Sequence, residues 1–303
     1  MNRSESMERL RRTMLFIPGG NEKVLTKGLG LDVDSLILDL EDSVAIEKKA
    51  SAREAVAEAL RSSDFGRKEK VVRINSLKTE HGRPDIDVVV RGKPDTLLLP
   101  KVEQPQDILD YDVRVAEAEK NGGLPLGSVG FIALIESPMG IVHIEAIALA
   151  SSRMKGLLFG AADFTRETRG KITSDRYELY YPMMRILLAA RVADIDAIDT
   201  PYFDIKDPMG LERHTQQAKD MGYDGKAMIH PSQVEVVNRV FTPSREEVEY
   251  SQRVLEAFEK AKAEGKGATQ LDGKLIENVH VAMAQRILKI AEMTGLMGEQ
   301  IRR

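Results

Sequence analysis

The feature of this chain that most restricts its fold is a series of short apolar runs, each climbing to a polar residue and stopping. The fullest pair lies between Phe131 and Asp163. There F-I-A-L-I-E-S-P delivers Glu136, a helical stretch from about Ile141 to Ser151 follows, and G-L-L-F-G-A-A-D delivers Asp163. Runs of this length are too short for helices and too continuous for half-exposed strands, so they read as strands of a parallel sheet buried on both faces. The plan recurs at Thr13 to Ile17 before P-G-G-N, at Ser35 to Leu40, Lys70 to Asn75, Asp95 to Lys101, Ala197 to Tyr202 and Lys226 to His230. Helical periodicity occupies Ala50 to Leu60 and Pro105 to Lys120. Eight strands with such crossovers predict an α/β fold, a (β/α)8 barrel, with an open doubly wound sheet as the alternative. The barrel is preferred because polar residues end nearly every strand: Asn21, Glu41, Arg73, Lys101, Glu136, Asp163, Asp199 and His230. In an open sheet they would gather at one switch point.

The chain of 303 residues continues past the eighth strand, with helical segments near Ser244 to Glu264 and Val279 to Thr294 around the stretch G-K-G-A-T-Q-L-D-G-K-L-I-E. We expect a catalytic barrel over residues 1–240 and a helical extension over 241–303. Within the extension, 265–277 is long enough to act as a lid over a barrel mouth. A solvated linker is the plainer reading of that stretch.

Lys and Arg total 44 against 48 Asp and Glu, so the net charge is only −4. No broad positive field exists to attract nucleic acid or an anionic membrane, and an anionic ligand has to be held by local basic residues. The absence of cysteine excludes disulfides, thiolate zinc sites and a cysteine nucleophile. A polar first dozen residues and no apolar run near the roughly 18 needed to span a membrane lead us to expect a cytoplasmic protein.

Acids at the exits of neighbouring parallel strands, here Glu136 and Asp163, can converge on one point, and two carboxylates beside open water positions suit Mg²⁺. With Arg73, the pair Glu41 and Asp42, and His230, the strand tips form a set suited to stabilising an enolate, the species through which aldol and Claisen cleavages pass. Each residue also has a plainer role. Glu136 and Asp163 can cap helices or pair with arginines, Arg73 can neutralise Glu41 and Asp42, His230 before Pro231 and Ser232 can cap a helix, and Asp199 can make a structural hydrogen bond. Lys101 offers a rival chemistry through a Schiff base. Gly19 and Gly20 fit neither the Walker nor the dinucleotide pattern.

Read in order, the segments R-R-T-M-L-F-I-P-G-G-N, D-L-E-D-S-V-A, V-R-I-N, L-P-K, I-E-S-P-M-G-I, G-A-A-D-F, A-I-D-T-P-Y, G-K-A-M-I-H-P-S-Q and F-T-P-S resemble the citrate lyase β-subunit family. Its relatives are the malyl-CoA, β-methylmalyl-CoA and citramalyl-CoA lyases of the same aldolase superfamily. The resemblance implies a (β/α)8 barrel that breaks or forms a carbon–carbon bond beside a coenzyme A thioester with Mg²⁺ and without a Schiff base. It puts the metal ligands at Glu136 and Asp163 and the arginine that holds substrate oxygen at Arg73, with Glu41 and Asp42 close by. Phe16, Lys27, Ile229 and His230 fall on ligand-contacting positions, and Arg12 is the phosphate partner it suggests.

The resemblance further implies a homo-oligomer, trimer or hexamer, whose loop after the barrel covers a neighbour's site. Where the family usually has aspartate as acid/base at the end of that loop, this chain reads G-K-L-I-E, which puts Glu277 in the role, with Asp272 as a substitute. The I-H-P-S-Q segment is similar to the form found in stand-alone lyases acting on free thioesters. A citryl-lyase subunit working on a carrier protein is the first alternative, and a barrel that binds acyl-CoA without catalysis is the second.

Overall fold

The computed structural model describes residues 9–296. Eight parallel strands, β1 (Thr13–Pro18), β2 (Ser35–Asp39), β3 (Glu69–Arg73), β4 (Thr96–Leu99), β5 (Gly130–Ile135), β6 (Met154–Phe159), β7 (Asp196–Asp199) and β8 (Gly225–Met228), pair in sequence order. β1 also pairs with β8, which closes the sheet into a (β/α)8 barrel and removes the open-sheet alternative. The crossovers carry α1 (Glu22–Leu29), α2 (Lys49–Ser62), α3 (Gly82–Val89), α4 (Pro105–Asn121), α5 (Pro138–Val142), α6 (Ile144–Ala148), α7 (Ala161–Thr168), α8 (Tyr180–Ala193) and α9 (Pro208–Met221), with α10 (Val234–Phe241) after β8. The single helix expected near Ile141 to Ser151 is in fact the pair α5 and α6, broken at His143, which lies outside helical geometry (ψ 11°).

Met14, Ile37, Val71, Leu98, Ile132, Leu134, Leu158, Ile198 and Ala227 pack as one cluster that fills the lumen. Each such burial contributes roughly 1.5–3 kcal/mol before the entropy of ordering is subtracted. Because side chains alternate along a strand, the residue two positions beyond each of these also faces the lumen, one layer nearer the C-terminal mouth. Phe16, Asp39, Arg73, Pro100, Leu134, Glu136, Gly160, Thr200 and Ile229 hold those positions, and all but Pro100 line one cavity of about 780 Å³. The odd partners turn outward. Asp199, next to the inward Ile198, meets Arg176 at 3.0 Å and Lys226 at 2.6 Å between barrel and helices, in the structural role open to it from sequence. Asn21 likewise caps α1, its side chain accepting from the Val24 N–H at 3.2 Å.

The chain divides into the barrel unit, Arg11–Asn238, and a second unit made of the chain from Arg239 onward together with the described residues before Arg11. In the second unit α11 (Arg245–Ala263), β9 (Thr269–Leu271), β10 (Lys274–Ile276) and α12 (Asn278–Met293) enclose a small core of Val254, Phe258, Ile276 and Ala284. The stretch expected to be a glycine-rich loop is largely this hairpin. Asp272 and Gly273 form its turn with φ of 50° and 76°, and Asp-Gly between two short strand segments is a strong hairpin signal that the surrounding glycines mask.

Candidate active site at the barrel mouth

Glu136 follows β5 directly and is fixed by what comes after it. Ser137 caps α5, its hydroxyl accepting from the Gly140 N–H at 3.1 Å, and Pro138 opens that helix, so the strand has to stop at Glu136. On the other side, a Cβ on Gly160 would stand 2.5 Å from the Glu136 Cβ, so glycine is what lets β6 pass this carboxylate. Asp163 comes from the first turn of α7.

Between the two acids lies Lys101. Its Nζ is 2.9 Å from Asp163 Oδ2 and 3.4 Å from Glu136 Oε1, while its backbone N–H donates to the same Glu136 oxygen at 2.8 Å. That double reach depends on a left-handed backbone, φ 55°, uncommon for a residue with a side chain and typical of strained functional positions.

Burial pushes the Glu136 carboxyl up to about 7, with Lys101 pulling it back only partly and the charge of Asp163 adding to the rise. Asp163 goes the other way: burial opposes ionisation, but hydrogen bonding from Lys101 holds its carboxyl below the usual range. Lys101 itself loses some affinity for its proton through burial and regains more from Asp163 and Glu136, so it stays an ammonium. An amine held between two carboxylates and drawn toward its protonated form is a poor nucleophile, which weighs against the Schiff-base rival.

Arg73 forms the second half of the site. Its Nε and Nη2 donate to the two oxygens of Asp39 at 2.6 and 2.7 Å, its Nη1 reaches Asp42 at 3.0 Å and Glu41 at 3.1 Å, and its plane lies 5.1 Å from the Phe16 ring centre. Burial works against Asp39, yet the Arg73 hydrogen bonds keep its carboxyl below the ordinary value. Burial raises Glu41 to about 7 despite Arg73. The 3.1 Å contact from Arg73 to Glu41 is a charge contact without hydrogen-bond alignment, and Glu41 Oε2 is buried with no hydrogen-bond partner.

The structure therefore brings together Glu136, Asp163, Arg73, Glu41, Asp42, Phe16 and Ile229 at one mouth. Within the barrel unit, Arg12, Lys27 and His230 do not line its cavity. Arg12 precedes β1, so it sits at the opposite end of the barrel, buried and clasping Asp34 through Nε at 2.9 Å and Nη2 at 2.7 Å. Lys27 is exposed on the last turn of α1, outside the cavity lining. His230 is exposed and caps the turn that follows, its Nδ1 2.8 Å from Ser232 Oγ. Within the second unit, Asp272 pairs with Arg253 at 2.9 Å, and Glu277 is the residue preceding α12, its N–H donating to His280 Nδ1 at 3.1 Å. Sequence reasoning does not single out Asp39, Lys101 as a bridging cation, Gly160 or Thr200 for these places. For Asp39 a signal exists: it lies two residues after the inward Ile37, on the lumen side of β2.

Glu136 and Asp163 are the pair that would hold a metal ion. Their donors are all carboxylate oxygen, the mouth has no sulfur, and a cation already stands between them, which together fit a hard divalent ion such as Mg²⁺. Among the described residues no group of three or more His, Cys, Asp or Glu is arranged to hold a metal, so two carboxylates are what the protein offers and the remaining positions fall to water or substrate.

The chain is similar to known proteins along most of its length. The family profile described as HpcH/HpaI aldolase/citrate lyase matches residues 12–231, and one described as C-C bond lyase of the TIM-barrel fold matches 172–296. Citrate lyase subunit beta of Leuconostoc mesenteroides subsp. cremoris is 39% identical, with 97% of each chain covered. A (3S)-malyl-CoA thioesterase of Cereibacter sphaeroides is 37% identical over 95% of this chain and 96% of its own. Among solved structures, protein CitE of Mycobacterium tuberculosis in complex with magnesium, acetoacetate and coenzyme A has a TM-score of 0.73 at 29% identity, covering 93% of this chain and 98% of that one.

Proposed function

We propose that this chain, which belongs to the HpcH/HpaI aldolase/citrate lyase family, is a Mg²⁺-dependent carbon–carbon lyase acting on a 3-hydroxy-3-carboxyacyl-CoA thioester such as malyl-CoA or citramalyl-CoA. The products are an acyl-CoA and a 2-oxo acid, and the same site would serve the reverse condensation. The observation that carries this reading is the cluster of Glu136 and Asp163 around a cation at the mouth. The M. tuberculosis relative, solved with magnesium and coenzyme A, supports it.

When bound by Glu136 and Asp163, Mg²⁺ would supply Lewis acidity toward the oxygens of the 2-oxo acid. The chain's own residues do the rest. Asp42, which lines the cavity with its side chain 65% exposed, accepts the proton of the substrate hydroxyl. The bond between the hydroxyl-bearing carbon and the thioester α-carbon then breaks, its electron pair passing into the thioester as an enolate. Arg73, held flat by Asp39 and Phe16, faces the growing negative charge on oxygen. The α-carbon needs a proton, and Glu277, brought by another subunit of a trimer or hexamer, is our candidate donor, with Asp272 second. Mixing inactive Glu136→Ala subunits with inactive Glu277→Gln subunits restores activity if the site is shared.

The test is direct. Purified protein is given each thioester with Mg²⁺ or EDTA, and released 2-oxo acid is assayed beside free thiol, so that cleavage and thioester hydrolysis are told apart. Absence of 2-oxo acid from every candidate, together with no effect of Glu136→Ala, refutes the reading. Identity of 39% to a citrate lyase β subunit favours one second reading, in which the substrate rides on a carrier protein. Co-purification with α and carrier subunits would select it.

A further inference from the structure

Lys101 gives the mouth a feature that its two acids alone do not explain. Its backbone N–H and its side chain serve different carboxylates, the amide holding Glu136 at 2.8 Å and the ammonium holding Asp163 at 2.9 Å, and a left-handed φ of 55° is what allows both at once. The ammonium also stands 3.4 Å from Glu136, so it fills the place between the two oxygen donors. Two cations cannot share that place at low cost, because like charges a few ångströms apart repel strongly when partly shielded from water. The amide has no such conflict, since it touches Glu136 without carrying charge.

We propose that Lys101 is the resident counter-ion of the metal site: its ammonium holds Glu136 and Asp163 together while no metal is bound and withdraws when a divalent ion enters, while its backbone N–H keeps Glu136 oriented in both states. This rests on the assignment of Glu136 and Asp163 as metal ligands. The side chain has the means to withdraw. It is 38% exposed, on a flexible four-carbon stem, and lines the open cavity. Lys101 is a positioning residue in this account and takes no part in bond breaking. Its charge sets how tightly the site takes its metal, and the freed ammonium adds positive charge to a cavity built for anionic oxygen.

The experiment titrates the full-length protein with Mn²⁺, reading free Mn²⁺ by electron paramagnetic resonance, in wild type, Lys101→Met and Lys101→Arg. Lys101→Met should bind Mn²⁺ about tenfold more tightly, since the competing charge is gone, and Lys101→Arg should remain near wild type. Equal or weaker binding by Lys101→Met, with wild type binding normally, overturns the proposal and leaves the metal assignment standing. No Mn²⁺ uptake by either protein overturns the metal assignment and this inference with it. A second readout uses only wild type: succinic anhydride labelling followed by peptide mass spectrometry. Mg²⁺ should raise labelling of Lys101 severalfold, and unchanged or lower labelling contradicts withdrawal.

Discussion

The two ends of this barrel place the same residue type in the same lumen and treat it in opposite ways. At the N-terminal end Glu69, 1% exposed, accepts from Arg11 Nε and Nη2 at 2.8 and 2.7 Å, from Ser35 at 2.9 Å and from Thr96 at 2.7 Å. Burial alone would raise its carboxyl, but Arg11 reverses that and holds it below the ordinary range. At the C-terminal end Glu136, 3% exposed, has one backbone N–H and a more distant ammonium, and its carboxyl is pushed up to about 7. Asp196, which shares Arg11 at 2.6 Å, is the exception at the first end: burial and then the charge of Asp224 raise it. The difference teaches that Glu69 at one end is spent on holding strands together, whereas at the other, where Asp39 is fully held by Arg73, Glu136 and Glu41 are left short of partners that a ligand can supply.

The largest effect expected from this contrast is catalytic. Glu136→Gln should lower the rate of 2-oxo acid release by about a thousandfold or more, the scale on which loss of a charge-stabilising group is felt, while thermal unfolding shows no loss of stability. A variant that unfolds instead would mean that Glu136 is structural. Glu69→Ala should do the reverse. Leaving Arg11, its side chain 10% exposed, with Asp196 as its remaining partner should cost about 3 kcal/mol in denaturant unfolding, with kcat/KM per folded molecule within a few-fold of wild type.

Acidity separates the ends in sign. Glu136 and Glu41 titrate near 7 when folded, above the ordinary 4.5, so between those values the folded protein holds more protons than the unfolded chain. Stability of the metal-free protein should therefore fall as pH rises from about 4.5 to 7, by roughly 1–3 kcal/mol, and level off above. Glu69 acts oppositely: its lowered carboxyl contributes stability that is present above the unfolded value and lost as pH falls through the folded one. Urea unfolding across this range, with Glu136→Gln and Glu41→Gln each flattening the slope and Glu69→Gln leaving it, checks the assignment. The smallest effect is expected at His230, whose Nδ1 bonds lie within its own capping turn; His230→Ala should cost no more than about 1 kcal/mol and change kcat/KM by less than about threefold.

Much of the barrel is legible in the sequence because continuous apolar runs leave few alternatives to buried parallel strands, and the acids at their exits mark the mouth. What is not legible depends on direction. Arg12 and Phe16 lie four residues apart, and only the observation that one precedes β1 while the other nears its exit puts them at opposite ends. Asp39 is hidden by the more conspicuous Glu41 and Asp42, although period two from Ile37 points to it. Lys101 reads as a nucleophile or as nothing, because its bridging position follows from a left-handed φ that no residue pattern announces. The hairpin around Asp272 is lost in a composition that suggests loop.

One measurement tests the contrast most directly: the shift in melting temperature on adding saturating Mg²⁺ to wild type, Glu136→Gln and Glu69→Gln. A ligand that binds only the folded state stabilises it by RT ln(1 + L/Kd) at free ligand concentration L, so the shift reports the site and not the starting stability. Wild type and Glu69→Gln should rise by the same increment, from different starting points, and Glu136→Gln should not rise. Equal shifts in all three proteins, or a shift lost with Glu69 and kept without Glu136, would contradict the account.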